Sequence, residues 1–343
     1  MTKNVSVAIL GSTGYVGLEL VKILSKHPKV DIDFLGTENN TQQSIEKIGN
    51  FKLDTKLPLT QLNKNLDCEN IDTVFLALPH GVSNNFVKLY FDKVQIIDLS
   101  ADFRLDDHEI YKKNYGDQHS CPNLLNNFVY GLAEFSKKKL LNNKNIAIPG
   151  CYPTSILIPL LPLLSNKLIK NTNIIVDSKS GYSGAGKNFD FKNMKNANDF
   201  NFYNYNTNSH RHICEIQQEL NKYSSETVRF SFNPHILPVF RGMMSTIYCD
   251  LNEGIKRDEI VSIFENFCSE SKFLHFFKED QKADFFAIQN TNNCIIKLFD
   301  HYEYSKIIIV SLIDNLIKGA AGQAIQCFNI ISDLNETKSL KDL

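Results

Sequence analysis

The 343-residue sequence has no C-x-x-C pair, no long apolar run and almost no net charge. Each absence excludes a class. Its eight cysteines, Cys68, Cys121, Cys151, Cys214, Cys249, Cys268, Cys294 and Cys327, are scattered. A zinc site would cluster its ligands, and a disulfide framework belongs to small secreted chains. Most of these thiols are therefore expected to be reduced, and no metal is expected. The longest apolar stretch, residues 155–164, is about half the ~20 residues a membrane span needs, and prolines interrupt it. Residues 5–10 are too short for the apolar core of a signal peptide and run straight into glycines. The expectation is a cytoplasmic protein with no membrane partner. A net charge of −1 offers no basic surface, so no nucleic acid is expected either.

What is present reads as an α/β protein of two domains. Hydrophobic residues at 43% and charged residues at 22% are a globular balance, and the length suits two domains. Residues 5–10, 31–36, 73–78, 95–99 and 146–148 read as strands, and 18–25 and 82–91 as helices. This alternation predicts a Rossmann-type, doubly wound parallel sheet with helices on both faces. Beyond residue 150 the pattern changes. Residues 173–178, 228–232, 244–249, 294–299 and 306–312 read as strands with little helix between them, which predicts an α+β catalytic domain with a mixed sheet. Residues 188–208 are expected to be irregular. A last helix over 315–331 is expected to pack back on the first domain. The boundaries expected are 1–150 plus 313–343 for the first domain and 151–312 for the second.

Gly11-x-x-Gly14-x-x-Gly17 lies between the first strand and the first helix, with Ser12, Thr13, Tyr15 and Val16 intervening. Glycines let the chain turn tightly and approach a pyrophosphate, and a helix N-terminus offers N–H groups and a positive dipole end. The spacing departs from G-x-G-x-x-G and would also suit a plain tight turn; the strand–helix context favours a dinucleotide. Such a cofactor's ribose is read at the end of the second strand, where Thr37-Glu38-Asn39-Asn40 stands. An acidic residue there bonds a 2′-hydroxyl, so Glu38 argues for NAD, and no arginine is present for the 2′-phosphate of NADP. The alternative is that Glu38 is simply a solvated loop residue.

Four further constellations carry chemistry. Cys151 follows a short strand and Gly150 and precedes a helix expected over 154–164, with Pro149 and Pro153 constraining the turn. A thiol at a helix N-terminus is favoured as thiolate, the form that attacks a carbonyl carbon. His210-Arg211-His212 combines imidazoles suited to acid–base work with an arginine suited to a carboxylate or phosphate. It would equally suit a surface histidine pair, and no further ligand cluster supports a metal. Residues 178–187, SKSGYSGAGK, form a Gly-rich loop able to offer N–H groups to a nicotinamide or phosphate, though Lys187-Asn188 breaks the P-loop form. Asp98 to Arg104 ends a strand, and Arg104 is either an anion clamp or one half of a surface ion pair with Asp102 or Asp106.

GSTGYVG at 11–17, LALPHG at 76–81, DLSADFR at 98–104, YGLAE at 130–134 and PGCYPT at 149–154 are followed by SKSGYSGAGK, by HRHICEI at 210–216, by FNPHILPVFRG at 232–242 and by DNLIKGAAGQA at 314–324. Together, in this order through nearly the whole chain, they resemble the N-acetyl-γ-glutamyl-phosphate reductase family of the semialdehyde dehydrogenase superfamily. The resemblance implies a phosphorylating dehydrogenase of arginine biosynthesis. Cys151 would attack the acyl carbon of an acyl phosphate, phosphate would leave, and NADPH would reduce the thioester to a semialdehyde. It implies that His212, or else His210, shuttles the proton. The Cys151 N–H would help hold the oxyanion, and Arg104 and Arg211 would meet the substrate's phosphate and carboxylate in an order left open. It further implies Ser183 at the substrate, Ser180, Gly181, Gly184 and Asn315 at the cofactor, and a homo-oligomer, dimer or tetramer.

The chain departs from the family pattern at five places. Ile148 stands where asparagine is usual, Ala133 and Cys214 replace prolines, Lys187 replaces arginine, and Asn39 stands where an arginine for the 2′-phosphate is common. The family thus implies NADP while Glu38 argues for NAD. Competing readings are an aspartate-semialdehyde dehydrogenase, a non-catalytic dinucleotide-binding redox sensor with Cys151 as its switch, and a cofactor-free cysteine hydrolase.

Overall fold

Val5–Leu10 (β1) is buried along all but its first residue, as expected of a strand covered on both faces of a parallel sheet. The computed structural model describes residues 4–116, 118–187, 201–301 and 305–341, and the chain divides into two compact units, Met1–Pro149 with Ala320–Leu343, and Gly150–Gly319. In the first unit, β1 is joined by Val30–Thr37 (β2), Gln61–Leu62 (β3), Thr73–Leu76 (β4), Gln95–Asp98 (β5), Val129–Tyr130 (β6) and Asn145–Ala147 (β7). They form one parallel sheet in the order β3-β2-β1-β4-β5-β7-β6. The order reverses direction between β1 and β4, the switch point at whose carboxyl ends such sheets bind ligands.

The connecting helices are Tyr15–Leu24 (α1), Ile45–Gly49 (α2), Ser83–Tyr90 (α3), His108–Tyr115 (α4) and Ala133–Leu140 (α5). Alternate strand residues face opposite helices. Val74 and Leu76 pack with Val87 and Tyr90 of α3. Phe75 between them meets Phe328, ring centroids 5.7 Å apart. Helices therefore cover both faces, as the doubly wound reading requires. Helix α1 begins at Tyr15, earlier than residue 18, because Gly14 already accepts the first helical bond from Leu18 N–H.

The second unit opens with Cys151–Ser165 (α6). Its sheet comprises Ile174–Gly181 (β8), Tyr203–Asn204 (β9), Phe230–Leu237 (β10), Met243–Asp250 (β11), Leu274–Phe277 (β12), Cys294–Asp300 (β13) and Lys306–Ile313 (β14). The order β12-β13-β14-β11-β8-β10-β9 mixes parallel and antiparallel pairs, so the expected mixed sheet is present. Strand β8 runs three residues further than expected because β10 and β11 pair with it on both sides through Ser180. Pro234 disguised the second half of β10; its carbonyl accepts the N–H of Tyr205.

The expectation of little helix between these strands is corrected by His212–Lys222 (α7) and Arg257–Glu270 (α8). Helix α7 buries Ile216 and Leu220 with Glu215 and Glu219 beside them, and α8 buries the stripe Ile260, Phe264 and Cys268. Helix α6 packs against β11 and β14 with α7 and α8 beside it.

The last helix is also corrected. A π turn, Ile317–Ala321, precedes Gly322–Ile331 (α9), and Asn315 and Leu316 are not yet helical because Asp314 Oδ1 accepts the N–H groups of Leu316 and Ile317. Helix α9 packs on α5 and α1 within the first unit. Of the segment 188–208 expected to be irregular, 188–200 lies outside the described residues. No helix among the described residues is long and apolar enough to cross a membrane.

Candidate active site

The glycines at the end of β1 answer to different demands. Gly11 has φ +77°, and a β-carbon there would lie 2.3 Å from Ala77 O. A β-carbon on Gly17 would lie 2.2 Å from Gly11 O. Both are required by the protein's own backbone. Gly14 is not. Its φ of −72° and ψ of 167° are open to any residue, and a β-carbon would meet only Gly11 O at 3.4 Å.

That β-carbon would instead fill space in front of α1, whose N-terminus has no side-chain cap and no acidic residue in its first turn. Tyr15 and Val16 open that turn. A bare, positive helix end behind a glycine the fold does not need fits a dinucleotide's pyrophosphate.

Around this loop the side chains lock to β2. Ser12 donates through both N–H and Oγ to Gly36 O, each at 2.8 Å. Thr13 Oγ1 lies 3.1 Å from Thr37 Oγ1. Glu38 is exposed just past β2, and its Oε1 accepts from Asn63 Nδ2 at 2.9 Å. The same amide's Oδ1 accepts the Gly11 N–H at 3.1 Å. Buried Asn63 thus ties the glycine loop to the Glu38 carboxylate, and the sequence reading missed it.

Arg104 is buried, not a surface residue. Its Nε donates to Ile148 O at 2.7 Å and its Nη2 to Leu99 O at 2.9 Å, so it braces the ends of β5 and β7. Ile148 is itself buried and donates its N–H to Asp98 O.

In the second unit, Cys151 is the first residue of α6, half-buried, with Gly150 as N-cap. None of the eight cysteines forms a disulfide. The Gly150 N–H is donated to Oε1 of the buried Glu215 at 2.9 Å, and Gly150 O accepts both the N–H and the Oγ1 of Thr154.

The two histidines are brought together but are not equivalent. Buried His210 accepts the His212 N–H on Nδ1 at 3.1 Å, and the ring centroids are 4.7 Å apart. Burial, with the Arg211 charge second, pushes the His210 pKa down to about 4. Its neutral ring therefore carries the proton on Nε2, which lies 3.5 Å from Tyr205 OH. Tyr205 OH donates to Tyr152 OH at 3.2 Å, and Tyr152 OH to His235 O at 3.3 Å. Burial raises the pKa of Tyr205 to about 12 and that of Tyr152 well above its ordinary value. Both phenols stay protonated.

His212 is half-buried at the first position of α7, and Arg211 is exposed. Cys214 is the third residue of α7, in the first turn, where proline and other residues alike fit.

The Gly/Ser segment forms a second tied cluster. Ser183 Oγ accepts from Asn315 Nδ2 at 2.9 Å, and Asn315 Oδ1 accepts the Gly242 N–H at 2.8 Å. A β-carbon on Gly181 would lie 2.7 Å from Phe240 O, and one on Gly184 would lie 2.9 Å from Ser180 Oγ. The residues assigned to the cofactor thus fall in two groups, Gly11 to Glu38 in one unit and Ser180, Gly181, Gly184 and Asn315 in the other.

Residues 6–143 match the family described as semialdehyde dehydrogenase, NAD binding domain, and residues 151–315 match semialdehyde dehydrogenase, dimerisation domain. The chain is 42% identical to an N-acetyl-gamma-glutamyl-phosphate reductase of Ehrlichia ruminantium, over all of this chain and 99% of that one. It is 42% identical to one of Caldicellulosiruptor bescii, over 98% of each. In fold it is similar to aspartate semialdehyde dehydrogenase II of Vibrio cholerae, with a TM-score of 0.75 and 17% identity over 97% of this chain and 99% of that one. The chain belongs to the N-acetyl-γ-glutamyl-phosphate reductase family.

Proposed function

We propose that this protein reduces N-acetyl-γ-glutamyl phosphate to N-acetylglutamate 5-semialdehyde with NADPH, releasing phosphate, as a cytoplasmic homo-oligomer in arginine biosynthesis. The observation that carries the reading is Cys151 at the first position of α6, behind a Gly150 whose N–H is held by Glu215.

In this reading His212 takes the thiol proton. The Cys151 thiolate attacks the acyl carbon, phosphate leaves, and a thioester remains. N–H groups at the start of α6 face the oxyanion. A bound dinucleotide would supply the hydride, and the proton held by His212 completes the hemithioacetal on Cys151. His212 then assists collapse to the free aldehyde and thiolate. His210, neutral and bound on Nδ1, orients the His212 backbone and is not the titrating group. Arg211, exposed beside His212, meets the substrate's anionic group, whereas Arg104 braces the strand ends.

Ser12 to Val16 hold the pyrophosphate. Membership of the family favours NADP, while Glu38 and the absence of arginine near Asn39 favour NAD.

The test is phosphate-dependent oxidation of N-acetylglutamate semialdehyde, run with NADP and NAD side by side and against aspartate semialdehyde. Turnover with the acetylated aldehyde is expected, faster with NADP. Faster oxidation of aspartate semialdehyde would overturn the substrate, and faster use of NAD would overturn the cofactor.

A further inference from the structure

Gly319 lies against the nucleophile's own backbone. A β-carbon built on it would sit 2.8 Å from Cys151 Cβ, 3.2 Å from Cys151 Cα and 3.4 Å from Asp314 O. Its φ is not in the left-handed region, so glycine answers here to space rather than to backbone conformation. Neither contact on Cys151 is the end of a flexible chain able to swing aside.

Gly319 occupies the middle of the π turn Ile317–Ala321, and its N–H is donated at 2.9 Å to the carbonyl of Asp314, five residues earlier. An α-helical register would direct that N–H to Asn315, and the one-residue difference turns the following positions by about 100° around the helix axis. π turns of this kind recur at functional sites.

The anchor of the turn is itself held. Asp314 is buried. Its Oδ1 accepts the N–H groups of Leu316 and Ile317 at 2.9 and 3.2 Å. Its Oδ2 accepts the Asn290 N–H at 2.7 Å and pairs with Arg241 Nε at 2.7 Å.

We infer that Gly319, presented by this π turn and held through the Arg241–Asp314 pair, is a positioning residue for Cys151. Its bare backbone forms the floor on which the Cα–Cβ bond of the nucleophile rests. Cys151 starts its helix and has no preceding helical turn to fix it. A methyl group at 319 must shift either α6's first residue or the turn, and the sulfur moves with it. The inference rests on the reading of Cys151 as the nucleophile.

The experiment uses the full-length enzyme with Gly319→Ala, Asp314→Asn and Cys151→Ser, assayed by phosphate-dependent oxidation of N-acetylglutamate semialdehyde with NADP. Turnover is counted per dinucleotide-binding site, so that a misfolded fraction does not register. Since a displacement of about 1 Å costs about 10²-fold in rate, Gly319→Ala is expected to lower kcat by about that factor. KM and the dinucleotide Kd should stay within about threefold, the mark of an interaction felt in the transition state rather than in binding.

Asp314→Asn keeps the Oδ1 acceptor of Leu316, Ile317 and Arg241 Nη2 but loses Oδ2, the acceptor of the Asn290 N–H and the partner of Arg241 Nε, and is expected to lower kcat about tenfold with the same split. It carries the test alone if Gly319→Ala does not fold. Either variant, folded and with kcat within about threefold of the parent, or impaired in KM alone, overturns the inference. If Cys151→Ser retains turnover, the nucleophile reading itself has failed, whatever residue 319 does.

Discussion

Gly150 donates its N–H to Glu215 Oε1 at 2.9 Å. The bond joins the residue before Cys151 to the α7 position one turn beyond His212. It therefore couples the thiol's helix start to that of the acid–base candidate. Glu215→Ala removes this acceptor, and leaving a buried donor without its partner costs about 1–3 kcal/mol. Glu215→Gln keeps an acceptor oxygen. Urea midpoints and kcat should both rank Glu215 above Gln and Gln above Ala. Equal losses in the two variants would show that the hydrogen bond is not the reason.

Gly14 and Gly17 separate ligand from fold. Gly17→Ala places a methyl 2.2 Å from Gly11 O and should unfold or grossly destabilise the first unit. Gly14→Ala meets nothing closer than 3.4 Å, so its melting temperature should match the parent's. Its dinucleotide Kd should rise about tenfold or more, the loss of about 1.4 kcal/mol at the pyrophosphate. Isothermal titration of NADP decides it. Unchanged affinity would remove the pyrophosphate from the front of α1.

His210 and His212 should part in turnover, and His210 has a pH dependence of its own. The folded pKa of His210, about 4, lies below its ordinary 6.5. The folded state therefore binds fewer protons than the unfolded one as pH falls. The stability linked to His210 is complete above about 6.5 and is lost as pH drops towards 4, by on the order of 3 kcal/mol. Imidazole NMR should find His210 neutral, protonated on Nε2, and flat between pH 5.5 and 8; a midpoint near 6.5 would contradict the burial argument. Replacing His212 with asparagine should lower kcat by about 10²–10⁴-fold, the usual range for a lost acid–base group.

Asp98 gives the opposite pH dependence. Its carboxyl is fully buried, and burial first, then the Asp102 charge, raise its pKa from 3.8 to about 7. The folded state favours the protonated acid. The stability this confers is complete below about pH 4 and is lost as pH rises through 7. Asp98→Asn does not titrate, and its oxygen can still accept the Ser100 N–H. Its stability relative to the parent should therefore improve between pH 5 and pH 8 in urea melts. A pH-independent difference between the two would count against the buried acid.

The parallel sheet, the glycine turn and a helix close behind Cys151 were legible because each is written in neighbouring residues, although that helix, expected from residue 154, begins at Cys151 itself. Val5–Leu10 is apolar but for Ser6 and runs into Gly11, and Cys151 follows Pro149-Gly150 directly. Helices α7 and α8 were overlooked because α7 buries glutamates, Glu215 and Glu219, beside Ile216 and Leu220, and α8 buries only one residue per turn, Ile260, Phe264 and Cys268. The π turn at Ile317–Ala321 was read as ordinary helix because its cause, the Asp314 carboxylate taking two N–H groups, leaves no mark on periodicity.

Strand periodicity, glycine spacing and motif order in the chain were enough to establish the architecture and the family, and to single out Cys151 as the candidate nucleophile. They could not assign Asn63 to both Gly11 and Glu38, Glu215 to Gly150, or Gly319 to Cys151, nor tell buried His210 from half-buried His212. Local conformation follows from the sterics of adjacent residues. Which distant donor meets which buried acceptor, and how far a titrating group is removed from water, is settled when the packed elements close around them.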